Sequence, residues 1–176
     1  MNSPLLIRCA GPRDLAEIAL LVVAFRNSLG KERPTRSEIE RRIERLLRDP
    51  AVTIGVAAEG RALLGYALQR RCFSLWAGGG AAVLEDLFVL EPARGRGIGR
   101  QLAEHAIREA RAAGCEGLSL DTNERNAVST ALYGSLGFTC ERPRWDGGRQ
   151  VRYDLSLAPA QPVESGVRWG PWMVKW

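Results

Sequence analysis

The chain has 176 residues, 45 % hydrophobic and 26 % charged, with a formal net charge of +5. That length and balance fit one globular domain with a full apolar core, and exclude a disordered chain or a small scaffold held by disulfides. No apolar run is long enough to span a bilayer, and the opening "MNSPLLIRCAGPRDL" lacks the apolar stretch of a signal peptide.

The positive charge is almost all arginine; lysine occurs only at Lys31 and Lys175. The excess suits either an anionic ligand or a solvated surface, and "RRIERLLR" mixes both signs along one helix as a surface does. No nucleic-acid motif accompanies it, so no nucleic-acid partner is expected. Cys9, Cys72, Cys115 and Cys140 form no C-x-x-C pair, and His105 is the only histidine. No metal site of the usual ligand spacing is therefore expected. The thiols read as buried, reduced side chains of a cytoplasmic protein.

Taken in chain order, "LLIRCA" (5–10) reads as a strand broken by Gly11-Pro12. Asp14 is placed to N-cap a helix with Leu15, Ile18, Val22, Phe25 and Leu29 at helical spacing. Thr35 and Glu38 match a capping box, and Ile39, Ile43, Leu46 and Leu47 line one face until Asp49-Pro50. "VTIGVAA" and "ALLGYALQRRCFSLW" read as strands joined by the turn "EGR". "AGGG" (77–80) reads as a flexible loop and "AAVLEDLFVL" as the next strand. A helix over about 97–113 ends at Gly114. A strand "GLSLDTN" follows, then a helix over about 126–136 ended by Gly137, a strand from Phe138, and a hairpin turn "DGG" into "RQVRYDLSL". The order β-α-α-β-β-β-α-β-α-β-β predicts an α/β fold, a mixed sheet with helices on both faces. The domain is expected over residues 1–157. A Pro/Trp-rich tail over 158–176 carries Trp169, Trp172 and Trp176, which are expected to dock on their own domain, on a partner subunit or over the active site.

The stretch "LEDLFVLEPARGRGIGRQL" (84–102) carries the chemistry. Gly95, Gly97 and Gly99 alternate with Arg94, Arg96, Ile98 and Arg100 between a strand and a helix. Unpaired N–H groups, the helix dipole and guanidinium groups then meet at one place, which suits phosphate oxygens. The ATP-binding loop requires G-K-[S/T] after its last glycine, but Gly99 is followed by Arg100-Gln101. The dinucleotide pattern G-x-G-x-x-G requires a glycine where Arg100 stands.

A third pattern, [Q/R]-x-x-G-x-[G/A], is met by Arg94-Gly95-Arg96-Gly97-Ile98-Gly99. It resembles the acetyl-CoA pyrophosphate loop of the GNAT superfamily of N-acetyltransferases. "NERNAVSTALYGSLGF" (123–138) resembles a second signature of that superfamily, with Asn126, Leu132, Tyr133, Gly137 and Phe138 in register and Ser129 where alanine is usual. The resemblance covers residues 5 to about 157, and the tail lies outside it.

The resemblance implies an acetyl-CoA-dependent N-acetyltransferase whose fourth and fifth strands splay apart to admit the pantetheine arm. The backbone of Leu87, Phe88 and Val89 would pair with that arm, and an N–H near Leu87 or Phe88 would polarise the thioester carbonyl. Asn126 joins the expected cofactor contacts through the second signature. Tyr133 holds the position of the general acid that protonates the leaving thiolate. Glu85 is the candidate base and Asp86 the fallback; either could instead bind a cationic substrate. Strand neighbours point to opposite faces, so only a bulge would bring both acids to one cleft. His105 lies too far along its helix to act on the thioester and reads as a surface or packing residue.

"LEDLFV" resembles the same segment in diamine and polyamine acetyltransferases, which implies an amine acceptor on a small molecule or peptide. Phe73, Trp76 and Trp145 are candidate walls of the acceptor site from chain order. Many relatives dimerise through their last strands, so a homodimer is expected. The alternatives are a non-catalytic acyl-CoA-binding domain and an acetyltransferase acting on proteins.

Overall fold

The computed structural model describes residues 4–74, 79–123 and 125–140. Trp76, Trp145, the expected hairpin and the tryptophan tail lie outside the described residues. The strands are β1 (Leu5–Cys9), β2 (Val52–Glu59), β3 (Ala62–Ser74), β4 (Gly79–Val89) and β5 (Cys115–Leu120). The helices are α1 (Leu15–Ser28), α2 (Arg36–Arg48), α3 (Ile98–Ala112) and α4 (Ala127–Ser135).

The strands form one sheet in the order β1-β2-β3-β4-β5. Neighbours are antiparallel except β4 and β5, which are parallel and joined through α3. The β2–β3 hairpin turns on Gly60, whose φ of 63° needs a residue without Cβ. The sheet has two apolar faces because strand side chains alternate. One carries Val56, Tyr66, Leu68 and Phe88 and packs on Ile18 and Leu21 of α1 and Ile39 and Ile43 of α2. The other carries Ala57, Ala67 and Leu84 and packs on Ile98, Leu102 and Ala106 of α3. The mixed sheet with helices on both faces is as expected through α4.

Several local expectations are corrected. "AGGG" is not wholly a loop: Gly79 and Gly80 belong to β4, opposite Ser74 and Phe73. Pairing on β3 holds them extended despite their weak strand preference. The strand after α3 starts at Cys115 and ends at Leu120, so Asp121–Asn123 is not strand. No strand begins at Phe138, since 138–140 are irregular. Cys9, Cys72 and Cys140 are exposed and Cys115 is half-buried, so the thiols are not core residues.

Thr35 and Glu38 form the expected capping box, with the Glu38 carboxylate accepting from the Thr35 N–H at 2.7 Å. Asp14 occupies the N-cap position of α1 but makes no side-chain cap. Its carboxylate instead accepts from Arg8 and from the Gly11 N–H, tying the end of β1 to the helix entry. A bidentate guanidinium outcompetes a neutral amide for a carboxylate.

Candidate active site

The site is built where the sheet stops being a sheet. β4 pairs with β5 from Gly80↔Cys115 to Leu84↔Leu120, and the register ends there. On its other side β4 stays paired with β3 as far as Gly65↔Val89. Residues 85–89 therefore have a partner strand on one edge only, among the described residues.

The ladder fixes which backbone groups face the open edge. The Leu90 N–H donates to the Leu64 carbonyl at 2.9 Å, so Leu90 points at β3. Alternation turns Phe88 toward β3 as well, and Leu87 and Val89 toward the gap. The Arg94 Nε bond to the Val89 carbonyl, 3.1 Å, agrees with that parity. Of the two N–H groups expected from the sequence to meet a thioester, Leu87 faces the gap and Phe88 does not. Phe88 instead stacks its ring against Phe25 and Tyr66 in the α1–α2 face.

A bulge lies in the same stretch. Leu68 stands opposite Asp86 and Gln69 opposite Leu84, leaving Glu85 as the extra residue. The bulge resets the alternation, so both acids point to the α1–α2 face. Glu85 accepts from Arg70 Nε at 3.0 Å, and Arg70 also bonds Asp49 at 3.0 Å. The second oxygen of Glu85, Oε2, is buried without a hydrogen-bond partner. Asp86 accepts from the Tyr66 hydroxyl at 3.3 Å. Burial pushes the Asp86 carboxyl above the usual range; the Tyr66 hydroxyl opposes this and the charge on Glu85 adds to it.

The glycine turn closes one end of the gap. Gly95 and Gly97 have φ of 77° and 75°, conformations that side chains resist. Gly97 occupies the N-cap of α3 and offers no side-chain cap to its first N–H groups. A Cβ on Gly99 would stand 3.7 Å from Leu87, 3.8 Å from Leu132 and 3.9 Å from Val89. The turn, the open edge of β4 and α4 thus converge on Gly99. Ile98 is buried and anchors the turn to the α3 face. The arginines are held internally: Arg96 pairs with Glu59 at 2.6 Å, and Arg100 donates to the Ser135 hydroxyl at 2.6 Å.

Tyr133 follows Leu132 on α4, packs with the α3-face cluster and meets Phe138 edge-on at 5.6 Å. Burial pushes its phenol above the ordinary value, so it stays protonated at neutral pH. Asn126 caps α4, its side chain accepting from the Ser129 N–H at 3.1 Å. That is a helix-building role, and it uses the side-chain oxygen and not the side-chain NH2.

Phe73 is not brought to this site. It stands opposite Gly80, seven residues along β4 from Leu87, which is about 20 Å at strand spacing. It is 76 % exposed, beside a shallow groove shared with Cys72, Ala113 and Cys115. Chain order alone could not show this, because β3 and β4 run on together beyond the gap. The reasoning from sequence also missed Tyr66 and Arg70, the partners of the two acids. Both sit among ordinary strand residues: Tyr66 is the same-face diagonal neighbour of Asp86 in the ladder, and the bulge turns Glu85 toward Arg70. His105 is buried in the α3 face and is not a surface residue.

No helix among the described residues is long and apolar enough to cross a membrane. The Acetyltransferase (GNAT) family model matches residues 19–138. The chain is 36 % identical over 101 residues to the aminoglycoside N(6')-acetyltransferase type 1 of Klebsiella aerogenes, covering 54 % of this chain and 63 % of that protein. It is 43 % identical over 65 residues to the IAA acetyltransferase of Azospirillum brasilense, covering 37 % and 42 %. The matches thus span less than two thirds of these curated relatives. A solved structure described as a probable acetyltransferase superposes with a TM-score of 0.74 at 25 % identity, covering 88 % of this chain and 99 % of that one. With the family model matching well over half of its residues, the open β4–β5 edge and the glycine turn, the chain belongs to the GNAT family of acetyltransferases.

Proposed function

We propose that the protein transfers an acetyl group from acetyl-CoA to a primary amine of a small molecule or peptide by direct attack. The observation that carries this reading is the register of β4. Its pairing with β5 stops at Leu84, and the Leu87 N–H beyond it faces a gap that ends at the uncapped N-terminus of α3. An extended amide-bearing arm satisfies such an edge as a strand would, and a pyrophosphate satisfies the helix N-terminus. Acetyl-CoA supplies the acetyl group as a thioester.

The chain's own groups divide the remaining work. The Leu87 N–H donates to the carbonyl oxygen as it gains charge. Gly95, Gly97 and Gly99 let the backbone N–H groups approach phosphate. Tyr133, on the α3 side of the gap, holds the proton for the leaving sulfur. The base comes from the acid pair on the α1–α2 side, and Asp86 suits the role better than Glu85. Glu85 is committed to Arg70, whereas Asp86 is held only by a hydroxyl and by burial that favours its taking a proton. Base and acid on opposite faces of the gap match a transfer in which the amine arrives from one side and the thiolate departs on the other. The curated relatives named above act, by their names, on an aminoglycoside and on IAA, and the aminoglycoside supports an amine acceptor here.

The test is a thermal shift with acetyl-CoA, coenzyme A, ATP and NAD side by side, followed by thiol release with a panel of amines. At a hundred times Kd a ligand is expected to raise Tm by about 5–10 °C in a domain of this size. A shift with ATP or NAD and none with acetyl-CoA would overturn the reading. A shift with acetyl-CoA and no turnover of any amine would leave a non-catalytic binding domain.

A further inference from the structure

Three metal-type donors from distant parts of the sequence meet at the end of α3 remote from the glycine turn. Cys9 ends the edge strand β1, and His105 and Glu109 stand one turn apart on α3. Cys9 Sγ lies 3.6 Å from His105 Nε2, and Glu109 Oε1 lies 4.0 Å from His105 Nδ1. One ligand atom from each residue falls within 4.8 Å of the other two.

The imidazole is fixed in place. His105 is 7 % exposed, and its ring lies over Gly55, where a Cβ would come within 2.7 Å of the ring carbon Cδ2. Gly55 pairs with Cys9 across the β1–β2 ladder, so one backbone position makes room for the ring and holds the thiol beside it. Cys9 is exposed and Glu109 half-buried, so an ion has a path from solvent.

The three side chains already interact: burial, then the charge and hydrogen bond of the Glu109 carboxylate, push the Cys9 thiol up, and a metal ion would displace that proton. The 4.0 Å from Nδ1 to the carboxylate is too long for a direct hydrogen bond. The spacing of sulfur and Nε2 fits a tetrahedral zinc ion. Zinc holds a thiolate sulfur at about 2.3 Å and an imidazole nitrogen at about 2.0 Å, which places the two about 3.5 Å apart. A histidine and a carboxylate at i and i+4 share one face of a helix. Thiolate and imidazole together favour zinc over magnesium or calcium.

We propose that Cys9 Sγ, His105 Nε2 and a Glu109 carboxylate oxygen bind one zinc ion, with water as the fourth ligand, and that this ion fastens the edge strand β1 to α3. Among the described residues β1 pairs with β2 alone. A link from its last residue to the helix above would hold the strand from a second side, in addition to its pairing with Gly55.

The test uses the full chain stripped with a chelator and titrated with zinc(II) and cobalt(II). One equivalent of zinc should bind, and at a hundred times Kd Tm should rise by about 5–10 °C. Cobalt(II) should give a thiolate-to-metal charge-transfer band. Cys9→Ser should abolish the band and weaken zinc at least tenfold, and Glu109→Gln should weaken it. Cys72→Ser, at another exposed thiol, should change neither. Arg108 brings a positive charge near His105, so Arg108→Gln should tighten zinc severalfold. No saturable zinc binding by the unmodified chain, or a cobalt band that survives Cys9→Ser, would overturn the site.

Discussion

Glu85 and Asp86 are neighbours in sequence and yet point to the same face of the sheet. The extra residue in β4 cancels the alternation that would otherwise send one acid to each side. The two differ in their company: Glu85 is gripped by Arg70, and Asp86 leans on Tyr66. This makes their roles separable by experiment.

If Asp86 is the base, the acid limb of kcat/KM for the acceptor reports its ionisation. The Tyr66 hydroxyl holds the Asp86 carboxyl down, and the charge on Glu85 pushes it up. Tyr66→Phe should therefore move the limb to higher pH, and Glu85→Gln should move it to lower pH. Asp86→Asn should lower kcat at least tenfold. Limbs that stay fixed in both neighbour variants would remove Asp86 from the role.

For the acid, Tyr133→Phe should retain acetyl-CoA affinity and lower kcat at least tenfold near pH 7, within the roughly 10²–10⁴-fold usual for this kind of help. The ring packing against Phe138 is preserved in that variant, so Tm should scarcely move. Unchanged kcat, with chemistry shown to be rate-limiting by single-turnover measurement, would exclude Tyr133.

Gly97→Ala forces a side chain onto a φ of 75°. The left-handed region costs about 1–2 kcal/mol for a residue with Cβ. Urea melts should show a loss of that size, together with weaker coenzyme A binding.

Gly55→Ala should be destabilising for a different reason. Its backbone is ordinary extended strand, but the new Cβ would meet the His105 ring at 2.7 Å. Displacing a buried ring costs about 1–3 kcal/mol. The double variant with His105→Ala should recover part of the loss, which a double-mutant cycle measures directly.

The capping box sets an acid limit on α2. Glu38 is pulled down to about 2 by its bonds to the Thr35 hydroxyl and N–H. A carboxylate depressed by folding stabilises above its unfolded value of 4.5, and that contribution fades as pH falls from there toward about 2. Glu38→Gln should flatten the stability curve in that window and leave it unchanged in shape near pH 7.

Much of this was legible in the sequence because the signals are local. The capping box, the glycines before α3 and the paired apolar faces are each read within one or two turns of chain. The bulge at Glu85 was foreseeable only as a possibility, since register is set by β3 and not by β4 itself. Asp14 misled because its partner Arg8 belongs to the preceding strand. Phe73 misled because nearness in sequence to β4 says nothing about which end of β4 it faces. The cluster of Cys9 with His105 was invisible to ligand spacing, as 96 residues separate the two.

The one-sided ladder beyond Leu84 also gives β4 a built-in reporter. In deuterium-exchange measurements the amide of Phe88, turned toward β3, should be slow with or without ligand. Those of Leu87 and Val89, turned the other way, should exchange quickly until something lies along the gap. A molecule gripped only at the glycine turn would leave them fast. Protection at alternate amides would therefore show that a bound ligand occupies the place of a strand.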